Sequence, residues 1–360
     1  MRSKRRVAQS AAVLAGVLLA WTAAGPAMVP PAAAAQVRSG PAGYPTYPGL
    51  LTGVAAPSAR SAWAVGDGPL IASWNGTRWK LVRPAGITRS AGLNAVAASS
   101  ARNAWAVGWN GNTAHQGPVI AGWNGRIWKQ VDSPDPGGQT VLNGVAVLSA
   151  SNAWAVGGDA ATYRPVILHW NGVVWKQVPS PAAGVSLTSV AALSPRSAWA
   201  VGYGYNGTAL ILRWNGRTWK QVRYLGLAML YSVTAVSAHS AWAVGYGFAH
   251  GTSDRVILHW NGRAWKRAAV ISGGQLDGVT AVSARNAWAV GTSSETTPRP
   301  VIMHWNGIAW KNVPGPPGGG SLAGVAASSA RNAWAVGYSY NRKTMQFKSL
   351  IVHWNGTRWK

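Results

Sequence analysis

From about residue 51 onward, apolar positions alternate with small or polar ones in short runs. Gly, Asn-Gly or polar turns break the runs every 8–12 residues. Period-two alternation predicts strands, because successive strand side chains point to opposite faces. Residues 187–222 show the unit: LTSVAALS, AWAVG, ALILRW and TWKQV are four predicted strands, a to d. A short turn, Pro195-Arg196-Ser197, joins a to b, and Asn215-Gly216 joins c to d. Asn-Gly is a strong hairpin signal because both residues tolerate positive φ. The b–c connection varies most in length, as surface loops do.

This unit recurs seven times. AWAVG carries Trp63, Trp105, Trp154, Trp199, Trp242, Trp288 and Trp334, spaced 42, 49, 45, 43, 46 and 46 residues apart. Each copy is followed by WNGxxWK, whose tryptophans are Trp74 and Trp79, Trp123 and Trp128, Trp170 and Trp175, Trp214 and Trp219, Trp260 and Trp265, Trp305 and Trp310, and Trp354 and Trp359. These positions account for 21 of the 23 Trp, leaving Trp21 and Trp109. Repeats of this length, punctuated as strands, suit propeller blades. The expectation is an all-β, seven-bladed β-propeller of four-stranded antiparallel blades over residues 36–360. Its repeats begin near 51, 93, 142, 187, 230, 276 and 322.

Strand a carries small residues, as the crowded innermost strand of a blade requires. Strand b alternates Ala with Trp and Val, so the Trp of one blade is expected over the Ala face of the next. The tryptophans are therefore read as core. The chain stops at Trp359-Lys360, where the other repeats continue strand d. Residues 36–43 (QVRSGPAG) are similar to 177–184 (QVPSPAAG), which follow a complete repeat. The expected closure is an N-terminal strand that completes the last blade and removes an unpaired edge.

Composition adds a compartment. Arg2, Lys4, Arg5 and Arg6 precede an apolar run from Ala11 to Ala24, and Ala33-Ala34-Ala35 offers a cleavage site. Residues 1–35 read as a signal peptide, with an uncleaved anchor as the alternative. Arg5-Arg6 fits twin-arginine export, although the residues after it do not. The expected location is secreted, extracellular or cell-wall associated. There is no cysteine, so stability rests on packing without disulfides.

The WNGxxW hairpin resembles the Asp-box, or BNR, repeat of sialidases and related propellers. L-x-x-V followed by AWAVG resembles photosystem-stability-factor-like propellers, and the strand order resembles WD-repeat blades. The likeness runs from about residue 51 to 360. It departs where Asn, one residue nearer the Trp, replaces the Asp-box aspartate. The resemblance implies a fold and no activity.

Catalytic chemistry is sparse. The acids are Asp67, Asp132, Asp135, Asp159, Asp254, Asp277 and Glu295. All are expected in b–c or d–a connections, none at a repeated position, so the paired carboxylates of a hydrolase are not expected. His169, His259, His304 and His353 share the position before the hairpin Trp. They read as packing residues, since blade-to-blade spacing is too large for one metal. No nucleophile or phosphate-loop motif is present. No metal or cofactor is expected, and the expected role is a non-catalytic binding or scaffold module, with a sialidase-like glycoside hydrolase as an alternative. Asn75, Asn206 and Asn355 match the glycosylation acceptor pattern and read as hairpin asparagines.

The net charge is +26. The a–b turns carry Arg60, Arg102, Arg196, Arg285 and Arg331. The c–d hairpins carry Arg78, Arg126, Arg217, Arg263 and Arg358. Lys80, Lys129, Lys176, Lys220, Lys266, Lys311 and Lys360 follow the hairpins. These 17 cations are expected at one end of the disc, a field that attracts an anionic polymer, a cell-wall polymer or a glycan. The alternative is that duplication multiplied one solvated Arg. The b–c face varies between repeats: Trp109, Tyr203, Tyr205, Tyr246 and Tyr338 are its candidate platforms for a sugar or a protein partner. A monomer is expected.

Overall fold

In the computed structural model the described residues are 38–39, 45–47, 49–112, 115–182, 185–204, 207–224, 226–249, 252–294, 297–341, 344 and 346–360. The expected signal segment, and residues 36–37 and 40–43 of the expected closing strand, lie outside them. Blade 1 comprises Leu51–Ser58, Ser61–Gly66, Leu70–Trp74 and Trp79–Val82, in spatial order a-b-c-d. Blades 2–6 repeat this antiparallel order. Strand a of each blade packs on strand a of the next, and that of blade 7 (Gly319–Ser329) packs on that of blade 1. The chain is thus a closed seven-bladed propeller, and the described residues contain no helix.

Blade 7 has three full strands, and its fourth is short. Lys360 exchanges two backbone hydrogen bonds with His353, at 2.9 and 3.0 Å. Further along the same edge, the Ser349 N–H donates to the Tyr47 carbonyl at 3.3 Å. Tyr47 is 2% exposed, in a cluster with Leu51, Trp334 and Ile351. A segment preceding the first blade therefore covers the outer edge of the last one.

The strand-b tryptophan of each blade packs against both hairpin tryptophans of the next. Trp63 lies 4.8 Å from Trp123 and 5.1 Å from Trp128. Trp199 lies 4.9 Å from Trp260 and 5.1 Å from Trp265. Trp334 closes the circle on Trp74 and Trp79, at 4.9 and 5.1 Å. In each triad one pair is tilted and one edge-to-face, as ring quadrupoles favour. A Trp buries roughly 200 Å², about 5 kcal/mol at about 25 cal/mol per Å². Seven such triads hold the blades together without disulfides.

In five blades the residue before the first hairpin Trp covers the strand-b Trp of its own blade. His169, His259, His304 and His353 lie 4.2–4.3 Å from Trp154, Trp242, Trp288 and Trp334. Arg213 takes this place in blade 4, 5.2 Å over Trp199. Burial lowers the pKa of all four histidines, as expected of neutral packing groups.

Candidate functional site: a basic turn face and an acidic axial cluster

The turn face follows from hairpin geometry. In each c–d turn the Asn side chain accepts two backbone N–H groups. Asn215 Oδ1 takes those of Arg217 and Thr218, both at 2.9 Å. The first hairpin Trp then donates its indole N–H to the a–b turn, as Trp214 does to Pro195 O at 3.0 Å. This bond brings the two turns together. A Cβ placed on the hairpin glycine would touch the a–b residue: Arg60 at Gly76, Arg102 at Gly125, Arg196 at Gly216, Arg285 at Gly307 and Arg331 at Gly356. The aliphatic stems of these arginines therefore lie over the hairpins, with the charged heads beyond.

Arg60, Arg102, Arg126, Arg196, Arg217, Arg263, Arg285 and Arg331 are all exposed, as are the other nine cations of this face. Every described carboxylate lies toward the other end, in or beside the far halves of the strands. Net positive charge is thus concentrated at the turn end, while the exposed cations of the other end, such as Arg83, Arg89, Arg164, Arg223, Arg299 and Lys348, share it with the carboxylates. The same end exposes apolar tips: Ile127 (52%), Val173 (78%), Val174 (44%) and Ile308 (84%).

At the opposite face, the expected loop residues Trp109, Tyr203, Tyr246 and Tyr338 are strand residues, because strand b runs past AWAVG in their blades. Trp109 covers Gly92, where a Cβ would sit 2.9 Å from its indole nitrogen. Tyr246 is buried and bonds Ser253 Oγ at 3.1 Å, so it packs and does not form an open platform. Tyr203 and Tyr338 are half-buried. Tyr205 lies outside the described residues. So does Asn206.

Three acids correct the sequence expectations, Asp159 among them, since it ends strand b of blade 3 (Asn152–Asp159) and is buried. Asp277 is in strand a of blade 6 (Gln275–Ser283), not in a connection. It also occupies a repeated position, with Thr52, Asn94, Asn143, Thr188, Tyr231 and Ala323. Asp254 and Arg255 belong to strand c of blade 5 (Thr252–Trp260) and are buried, because that strand extends into the expected loop.

The repeated position of Asp277 forms an axial column. Thr52, Asn94, Asn143 and Thr188 each donate to the carbonyl of the next blade's Leu, at 2.6–2.9 Å. Blades 5–7 depart from this latch with Tyr231, Asp277 and Ala323. Tyr203 meets Tyr231 edge-on at 6.0 Å, and Gln275 donates to Asp277 at 2.7 Å. Burial pushes the Asp277 carboxyl up to about 7, against the Gln275 hydrogen bond, although the side chain keeps partial solvent access along the axis. Burial also raises the Tyr231 and Tyr338 phenols, and the nearby Asp277 charge raises them further. Sequence reasoning missed Asp277 and Tyr231. The column is visible when the repeats are aligned on Leu-x-x-Val, but its residues differ in type.

A carboxyl with a raised folded pKa binds its proton more tightly in the folded state. Stability is therefore largest at low pH and falls as pH rises from about 4 to about 7. Asp277→Asn is expected to leave stability nearly unchanged at pH 4 and to raise it at pH 8 by about 1–2 kcal/mol, reduced from the full linkage value by solvent access. Urea melts at both pH values check this, and equal effects at the two would contradict it.

No protein-family model matches the chain. No curated protein matches it either. Solved structures do match. "YCF48 bound to D1 peptide" aligns over 92% of this chain and 99% of its own, at 15% identity and a TM-score of 0.58. The WD40 β-propeller domain of Doa1 aligns over 84% and 92%, at 11% identity and 0.57. A xyloglucanase from Xanthomonas campestris aligns over 87% of this chain and 54% of its own, at 13% identity and 0.62. At these identities the likeness is one of fold: a seven-bladed propeller shared by enzymes and non-enzymes alike.

Proposed function

We propose that this chain is a non-catalytic binding module at the cell exterior that holds anionic polymers or surfaces through its turn face. The observation that carries the reading is the concentration of net positive charge, with 17 exposed cations at the turn end and the described carboxylates toward the other. Single exposed contacts are weak and screened beyond about 8 Å at physiological salt, but many contacts on one polymer combine. Propellers of this shape include one bound to a peptide and one named for a polysaccharide, which supports a polymeric partner.

A second reading places a peptide or sugar at the axial cluster of Tyr203, Tyr231 and Asp277. The edge-on tyrosine pair favours it.

Reversing charge at Arg102, Arg196 and Arg285 is expected to weaken binding to an anionic polymer at least about tenfold at low salt and to flatten its salt dependence. Reversal at Arg89, Arg164 and Arg223, which are exposed outside the turn face, is expected to cost much less. Equal losses in the two triple variants, or binding indifferent to salt, would overturn the reading.

A further inference from the structure

We infer that the partner of the turn face is an anionic lipid bilayer, entered shallowly by the apolar hairpin tips of blades 2, 3 and 6. This rests on the reading of the turn face as the polyanion site and narrows it to one kind of surface.

The tips are not required by the fold. Asn171 Oδ1 accepts the N–H groups of Val173 and Val174, both at 3.0 Å. Asn306 Oδ1 accepts those of Ile308 and Ala309, both at 3.0 Å. The same pair of bonds shapes the hairpin carrying Arg217 and Thr218 and the one carrying Arg263 and Ala264. The two residues after Asn-Gly are therefore free to be polar. At three hairpins at least one of them is instead a branched apolar residue, with Val173 78% and Ile308 84% exposed.

Chemistry separates the possible polyanions. A soluble anionic polymer offers charge but no apolar phase to receive these side chains. A bilayer offers both, with anionic headgroups at the surface and acyl chains just below. Each apolar hairpin has a cation beside it: Arg126 next to Ile127, Lys176 after Trp175 and Lys311 after Trp310. Long basic side chains can stay at headgroup level while a neighbouring apolar group enters. Blade 6 lies across the ring from blades 2 and 3, so the contacts define a plane and not a single edge. The opposite end also exposes apolar side chains, Leu227 and Phe347, but it lacks the cation ring.

The test compares the wild-type protein with Ile127→Ser/Val173→Ser/Val174→Ser/Ile308→Ser and with a Leu227→Ser/Phe347→Ser control. Co-sedimentation is measured with phosphatidylcholine vesicles, with vesicles containing roughly 30 mol % phosphatidylglycerol, and against soluble polyphosphate. Melting curves confirm that each variant folds. The wild type and control are expected to bind the anionic vesicles and not the neutral ones. The four-serine variant is expected to lose vesicle binding at least about tenfold, since each methylene withdrawn from water contributes, yet to keep polyphosphate affinity within about twofold. Unchanged vesicle binding by that variant would overturn the inference. So would wild-type binding to polyphosphate without binding to vesicles, which would leave the polyanion reading standing. Failure to bind either probe would remove both.

Discussion

Trp199→Ala is expected to cost about 3–5 kcal/mol in chemical denaturation, one of the largest single-residue effects in the chain. Trp199 is 1% exposed and fills the space between blades 4 and 5. Trp260 lies 4.9 Å away on one side and Trp265 meets it edge-on at 5.1 Å. Truncating a buried Trp loses its transfer energy and leaves a cavity that surrounding strands fill only in part. Arg213, 5.2 Å over this ring and 5.4 Å over Trp260, also loses one of its two aromatic partners. Trp199→Phe keeps a ring at the site and is expected to cost about half as much. A loss below about 1 kcal/mol for the alanine variant would show that the triads do not hold neighbouring blades together.

Gly157→Ala is expected to be nearly as damaging although it adds a single methyl group. Gly157 closes AWAVG in blade 3, at a register shift between strands a and b. A Cβ there would overlap the carbonyl oxygen of Val141, and the Leu142 Cα would lie 2.8 Å away. Both obstacles are backbone, so relief requires moving strand a against the axial ring. Overpacking of this kind typically costs about 1–3 kcal/mol, and the rigidity of the ring places this case at about 3 kcal/mol. The glycine of every AWAVG copy meets the same kind of obstacle, so the motif's last letter reflects steric necessity. Tolerance of alanine, measured as an unchanged denaturation midpoint, would mean that the bulge relaxes freely.

The architecture was legible because each blade restates the same constraints. Trp at fixed offsets, Asn-Gly at one turn and Gly at one bulge are local requirements, and seven copies separate them from chance. The seating of Trp154 in one cluster with Ala198 and Ala200 of the next blade follows from the alternation of AWAVG, whereas its contacts with Trp214 and Trp219 emerge only in the structure. What differs between blades was harder to read. Asp254 was expected in a connection because nothing in its residue type signals that strand c of blade 5 starts at Thr252. Asp277 was expected in a connection because acids are uncommon in an innermost strand. Its position becomes clear only beside Thr188, whose hydroxyl bonds the next blade's Leu230 carbonyl. Asp277 instead accepts from the Gln275 amide at 2.7 Å, so blade 6 gives up the latch. The arginines of the a–b turns were legible as cations, but their stems over Gly76, Gly125 and Gly216 were not. This contact gives the turn arginines a structural role, while leaving their charged heads at the surface.

The central claim, that the turn face is the binding surface, is tested most directly by lysine acetylation footprinting with and without an anionic polymer. Lys80, Lys129, Lys176, Lys220, Lys266, Lys311 and Lys360 follow the seven hairpins, and all are exposed. Lys348 is exposed on strand c of blade 7 toward the opposite end and serves as an internal control. The expected result is slower acetylation of the seven hairpin lysines when the polymer is present, with Lys348 unchanged and the protection lost as salt is raised. Protection of Lys348 with the hairpin lysines unaffected, or no protection at low salt, would contradict the account.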